Sequence, residues 1–400
     1  MQSTLPPQSD HRGYRLSSID MLRGLIVVIM ALDHVRDFNM AGAMQDPMSD
    51  PNVGVLLFFT RWITHYCAPL FTFLAGTSAG LMAARKKPTE LAGFLFKRGI
   101  WLVFIDAILI STAITFSPFA FAHPGGHTIV FVQTLSAIGV AMMVLAAVQF
   151  MGSQACLAVG AMIVLGHNLL DGVWPQVNWG GDTPLWVALH ARMAVTLDHV
   201  QIFFVYPFLP WIGVMLLGFG SAGIFKRLPD QRNGQLLKIG LGLIAAFIIL
   251  RGFDVYGDPH KWQVQPGSEL RTLMSFLNTT KYPPSLLYLL MTLGPAAVLC
   301  AFADGFRGWL KDTLVMFGRV PFAFYVAHFY VAHAIGLAVG MIEGYTTAQL
   351  TSWTDKPQDA GLGLEGVYLV WIIVIVILYP FCRWVASIKA RRSDWWLSYL

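Results

Sequence analysis

Five blocks of the sequence place ionisable side chains at spacings that can do chemistry. In RGLIVVIMALDHVRD, ten residues separate Arg23 from His34, close to three helical turns, so both fall on roughly one side of a helix. Asp33 adjoins His34. An imidazole beside a carboxylate at the end of an apolar helix suits general-base chemistry near neutral pH, although the same histidine also suits a snorkelling role at the headgroups. In RWITHYCAPLFTFLAGTSAG, Arg61 and His65 are four positions apart and share a helix face. Pro69 loosens the helix after them, and Gly76 and Gly80 form a close-packing GxxxG pair.

The tetrapeptide LDHV recurs at 197–200 after its first appearance at 32–35, setting Asp198 and His199 ahead of YPFLPW, a sequence suited to a broken helix or lid. In NTTKYPPSLLYLL, the polar groups of Asn278, Lys281 and Tyr282 suit either a sugar or phosphate, or a proline-anchored turn at the membrane interface. GRVPFAFYVAHFYVAH carries Arg319, His328 and His333. Arg319 and His328 are nine positions apart and do not share a face, and two histidines five apart are poor helical metal ligands, so no metal is expected.

The elements that must position these residues are membrane helices. The 400 residues are 56% hydrophobic and 12% charged, with mean hydropathy +0.59, and the apolar stretches are apolar on every face, as in WIIVIVILYPFC. The fold class expected is all-α and polytopic, with about ten spans at 21–38, 54–84, 99–116, 128–150, 154–170, 201–225, 238–253, 285–303, 313–342 and 365–388. Charges inside the first span, and Asp106 inside the third, imply an internal cavity, because an ionisable group facing lipid costs several kcal/mol.

About 18 of the 27 Lys and Arg residues fall on one set of alternating loops, which places both termini in the cytoplasm and makes the net charge of +5 a positive-inside surplus requiring no nucleic acid. The domain reading is a disordered head (1–13), one membrane domain (14–390) and a basic, aromatic tail (391–400). The four cysteines lie within spans without a CxxC pattern and read as packing residues. Small-residue faces in the second, sixth and seventh spans suit packing within a protomer or across a homodimer.

Taken together, the Arg-x10-His block, THYCAPLFTFLAG, HVQIFFVYPFLPWIGVMLLG, NTTKYPPSLLYLLMTLGP, FGRVPFAFYVAHFYVAH and CRWVASIKARRSDWWLSYL resemble, in order, bacterial members of the heparan-alpha-glucosaminide N-acetyltransferase catalytic-domain family. The resemblance extends over about residues 14–400, and its first block is similar to the Arg-x10-His signature of the wider membrane acyltransferase superfamily. It implies an enzyme of the bacterial inner membrane that moves acetyl from cytoplasmic acetyl-CoA to an acceptor, often a sugar or glycan, at the far side.

On that footing His34 is the general base or acyl acceptor and Asp33 orients it, while Arg23, Lys97, Arg98 and Arg319 are expected around the CoA phosphates. Arg61, His65, Asp198, His199, Asn278, Lys281, Tyr282 and His328 are expected to hold substrate. The sequence departs from the lysosomal branch in having DHVRDF where that branch carries a glycine-rich stretch. The assignment to His34 therefore rests on the superfamily motif and on local chemistry. The rival from another class is a transporter or flippase that uses the same intramembrane charges as a relay.

Overall fold

The computed structural model describes residues 17–43, 45–116, 128–171, 184–198, 200–351, 357–392, 394 and 397. The expected head, 1–13, and most of the expected tail lie outside these. Apolar runs bounded by Pro, Gly and basic residues fold as helices. In chain order they begin with α1 (Ser17–Asn39), α2 (Val55–Ile63), α3 (Cys67–Met82), α4 (Pro88–Ile105), α5 (Ser111–Thr115), α6 (Thr134–Val148), α7 (Ser153–Gly166) and α8 (Pro184–His190). There follow α9 (Phe208–Gly220), α10 (Pro229–Phe253), α11 (Glu269–Leu277), α12 (Leu286–Phe302), α13 (Trp309–Arg319), α14 (Pro321–Ile342), α15 (Thr347–Thr351) and α16 (Leu364–Arg391).

Among the described residues, seven helical stretches are long and apolar enough to cross a bilayer: Thr134–Met151, Ser153–Leu170, Phe208–Lys226, Pro229–Phe253, Leu286–Gly305, Pro321–Ile342 and Leu364–Arg391. The chain is a multi-pass membrane protein. The three other expected spans are helical but interrupted or charged. Helix α1 carries Asp20, Arg23, Asp33, Arg36 and Asp37 and packs on α3, α13, α14 and α16, so its charges meet protein rather than lipid. A 3-10 turn at Thr64–Tyr66 separates α2 from α3, and a π-turn at Asp106–Ile110 separates α4 from α5. The GxxxG pair is used within the chain: a Cβ on Gly76 would lie 2.1 Å from the Met215 carbonyl oxygen, so α3 and α9 meet backbone to backbone.

Three boundaries differ from the sequence expectation. The stretch 313–342 is two helices, α13 and α14, which meet at Val320 (φ −131°, ψ 45°) because Pro321 cannot continue a preceding helix but suits a first turn. The stretches 128–150 and 201–225 each open as a strand instead of a helix. The fold is therefore not purely α: β1 (Thr128–Val132), β2 (Ala194–Leu197) and β3 (Val200–Phe204) form a small sheet in the order β1-β3-β2. Strand β3 runs parallel to β1 and antiparallel to β2, with Leu197 opposite Val200, and VQIFF supplies the β-branched and aromatic residues that such pairing favours. The second LDHV is thus the tip of a tight hairpin, with Asp198 in the left-handed region at φ 52°, whereas the first LDHV is helical. It is not a structural repeat.

Asp106 opens the π-turn. Its carboxylate accepts from the backbone N–H groups of Gln133 (2.7 Å) and Ser136 (3.0 Å), capping the N-terminus of α6 from a neighbouring helix inside the membrane domain. Replacing Asp106 by alanine is expected to lower stability in detergent by about 2 kcal/mol, read from chemical denaturation, since it strands buried donors at a helix end.

Candidate active site

The central feature is a pair of histidines from α1 and α14. His34 Nδ1 lies 2.6 Å from His328 Nε2, and His328 Nδ1 lies 3.1 Å from the Phe324 carbonyl oxygen. A carbonyl only accepts, so His328 Nδ1 carries its proton and its Nε2 is the acceptor. His34 Nδ1–H therefore donates to His328, which leaves the lone pair of His34 Nε2 as the free base. The ring of Phe329, 4.1 Å from that of His34 between centroids, packs against the imidazole. His328 is fully buried.

Asp33 turns elsewhere, because consecutive positions of a helix are about 100° apart. Its carboxylate meets Arg61 Nη1 at 2.7 Å, Arg36 Nη2 at 3.3 Å and Lys281 Nζ at 3.9 Å. The expectation that Asp33 orients the His34 ring is met differently: His328 makes that contact. Arg61, at the end of α2, also reaches Asp46 at 3.3 Å, and its guanidinium outweighs the effect of burial and holds the Asp46 carboxyl down at about 2. Its backbone carbonyl meets His65 Nδ1 at 2.9 Å, and the Tyr288 hydroxyl donates to the His65 carbonyl at 2.7 Å, so His65 braces the helix break and does not line the cavity beside His34.

That cavity, of about 260 Å³, is lined by Asp33, His34, Arg36, Arg61, Arg192, Tyr206 and Tyr282 among others. The segment after α10 delivers Tyr282 and Lys281. Arg251 donates to the carbonyls of His260 (2.7 Å) and Asn278 (2.8 Å), while Asp258 accepts from the Thr280 N–H (2.8 Å) and the Ser285 hydroxyl (2.6 Å). A second cavity of about 410 Å³, toward the beginning of α1, is lined by Arg23, Ser78, Arg98, Arg319, Tyr325 and Lys389.

Consecutive residues divide the two spaces. Gln133 lines the first and Thr134 the second, while Phe329 lines the first and Tyr325, one turn earlier on α14, the second. Tyr325 and Phe329 both pack against the His328 ring, so the histidine pair lies beside that division on α14.

Several expected site residues lie elsewhere. Lys97 is exposed on α4 and does not line the cavity that takes Arg98. Asp198 is exposed at the hairpin tip, and His199 lies outside the described residues. Asn278 donates to the Met48 carbonyl at 2.7 Å in a separate groove. Conversely, Arg36, Asp46, Gln133, Arg192, Tyr206, His333 and Lys389 line the cavities without having been singled out as site residues. Arg36 had a local signal, three positions from Asp33 on one helix face. Arg192 and Gln133 had none, since only the strand pairing brings their segments to α1.

A family model described as heparan-alpha-glucosaminide N-acetyltransferase, catalytic, matches residues 15–252. A comparison with curated proteins finds no match. The matched residues cover more than half of the chain and include α1 with His34, both halves of the broken α2–α3 pair and the strands that line the cavity beside His34. The chain accordingly belongs to the heparan-alpha-glucosaminide N-acetyltransferase catalytic-domain family, a family of membrane acetyltransferases.

Proposed function

We propose that this protein transfers acetyl from cytoplasmic acetyl-CoA, bound in the cavity of Arg23, Arg98, Arg319 and Lys389, to the amine or hydroxyl of a sugar in the cavity on the other side of the His34–His328 pair. One observation carries the reading: a cavity lined by His34 and a second, largely apolar cavity edged by Arg23, Arg98, Arg319 and Lys389 are divided by adjacent residues of the same segments, and the hydrogen-bonded His34–His328 pair lies beside that division. The positive-inside distribution puts the Arg23 end in the cytoplasm, together with both termini, in the inner membrane of a bacterium. There the basic groups suit the CoA phosphates, with Ser78 on Arg23 and Tyr325 packed against His328 along the path of the thioester arm.

In the reaction His34 Nε2 takes the proton of the acceptor N–H or O–H as that atom attacks the acetyl carbonyl carbon. The carbon–sulfur bond breaks, and the CoA thiolate leaves and takes the proton from the imidazolium. His328 fixes the tautomer that makes Nε2 the base, and Asp33 holds Arg61, Arg36 and Lys281 around the acceptor space. The test is release of CoA thiol from acetyl-CoA by purified protein in detergent, across a panel of amino sugars. Thiol release that depends on an acceptor is expected. No release with any acceptor, together with no rise in melting temperature on adding acetyl-CoA, would overturn the reading in favour of transport.

A further inference from the structure

Among the described residues around the outer cavity, the lining cations Arg36, Arg61 and Arg192 together with Lys281, which reaches Asp33, outnumber the carboxylates Asp33, Asp37 and Asp46 by one. Asp33, Asp37 and Asp46 are each engaged by Arg36 or Arg61, with Lys281 adding to Asp33. Arg192 is a fourth cation, with no carboxylate paired to it among the described residues. Its guanidinium instead lies 4.4 Å from the centroid of the Tyr282 ring, on the cavity lining, immediately before the strand pair that forms the outer wall. A second observation comes from below. The Arg36 side chain, 96% buried and also on the lining, has Nη2 occupied by Asp33 and Asp37, yet its Nε and Nη1 have no hydrogen-bond partner. A buried guanidinium with two idle donors is costly unless something else satisfies it.

The Tyr282 phenol reports the same field. Burial would raise its proton affinity, but Lys281, Arg61 and Arg192 together outweigh burial and push it below the usual phenol range. Its hydroxyl lies 3.4 Å from that of Tyr206, so two phenols and three guanidiniums, those of Arg36, Arg61 and Arg192, line one small space.

We propose that the outer cavity selects an acceptor bearing an anionic group, a carboxylate or phosphate on the sugar, and that Arg192 is the specificity-determining residue that binds it at the cavity mouth. The inference rests on the acyl-transfer reading for the identity of the ligand as acceptor, but not for the binding itself. The anion satisfies the surplus cation, and the Tyr282 ring holds the Arg192 guanidinium planar and in place, which favours two-pronged contact with carboxylate or phosphate oxygens.

The experiment compares glucosamine with glucosamine 6-phosphate and with a glucosaminuronic acid, first by binding to the full-length protein in detergent without acetyl-CoA, then by thiol release. Wild type is expected to bind the two anionic sugars at least tenfold more tightly than glucosamine, with the preference shrinking as salt is raised. In Arg192→Gln the preference for the anionic sugars over glucosamine is expected to fall by about tenfold, and Arg192→Lys is expected to restore part of it. Where turnover is seen, KM for the anionic sugar rises and kcat holds. Equal binding of charged and neutral sugars by wild type, or a preference that survives Arg192→Gln, overturns the proposal. Charge-selective binding without thiol release would keep the anion site and overturn the acyl-transfer reading instead. A phosphate-only or carboxylate-only preference identifies which of the two groups the site takes.

Discussion

Acetyl transfer by His34→Ala is expected to fall about a thousandfold in kcat/KM, while acetyl-CoA still raises the melting temperature of the variant as it does that of wild type. The size follows from the loss of a positioned general base, which is worth roughly a hundred- to ten-thousandfold. The preserved thermal shift follows from geometry, because the basic cavity lies beyond the partition and His34 is not part of its lining. Truncating His328 to alanine acts through His34 and is expected to cost about ten- to a hundredfold in kcat with little change in KM, as removal of a group that fixes a histidine tautomer does elsewhere. The two losses are expected not to add, since both act on the proton held at His34 Nε2. Thiol release by the single and double variants, with melting temperature as the folding control, checks this. Near wild-type turnover in His34→Ala would remove the histidine pair from the chemistry.

Asp33→Ala is expected to produce the largest loss of stability, about 3–5 kcal/mol, because the substitution removes the carboxylate that Arg61, Arg36 and Lys281 share and leaves only Asp46 and Asp37 to the two arginines. The carboxylate is one of the few groups that join α1, the end of α2 and the segment before α12 in a single contact, so its removal loosens the wall of the outer cavity as well as the helix pairing. Asp33→Asn keeps a hydrogen-bond acceptor but no charge and is expected to fall between wild type and alanine. Denaturation in detergent reads both variants. If alanine behaved as wild type, the three cations would have to be hydrated through the cavity, and Asp33 would have no structural role.

Much of the site was legible as chemistry before it was legible as geometry. His34, Arg61 and His328 stand out because an ionisable group in an apolar run is expensive, Lys281 and Tyr282 as polar groups of a loop before a span, and the structure brings all of them to α1 at its far end. Arg23, Arg98 and Arg319 were expected together around the CoA phosphates from the resemblance, and they gather in the other cavity. What misled was letter identity. LDHV is helical at 32–35 and a hairpin tip at 197–200, since four residues carry no conformation of their own and the strand partner, β1, lies far away in the chain.

The sequence alone determined that the chain lives in a bilayer, where most of its helices lie, which residues are too costly to face lipid and, through ordered blocks of which the first three fall within the matched residues 15–252, the family. These depend on composition and local periodicity, which are one-dimensional. Only the tertiary structure decided which residue completes which. His328 lies 294 positions from His34, and Arg61 lies 28 from Asp33. Such pairings are set by how helices cross and where Pro321, the Thr64–Tyr66 turn and the Asp106 cap break them, and helix spacing within one segment contains no information about its neighbour across the bundle.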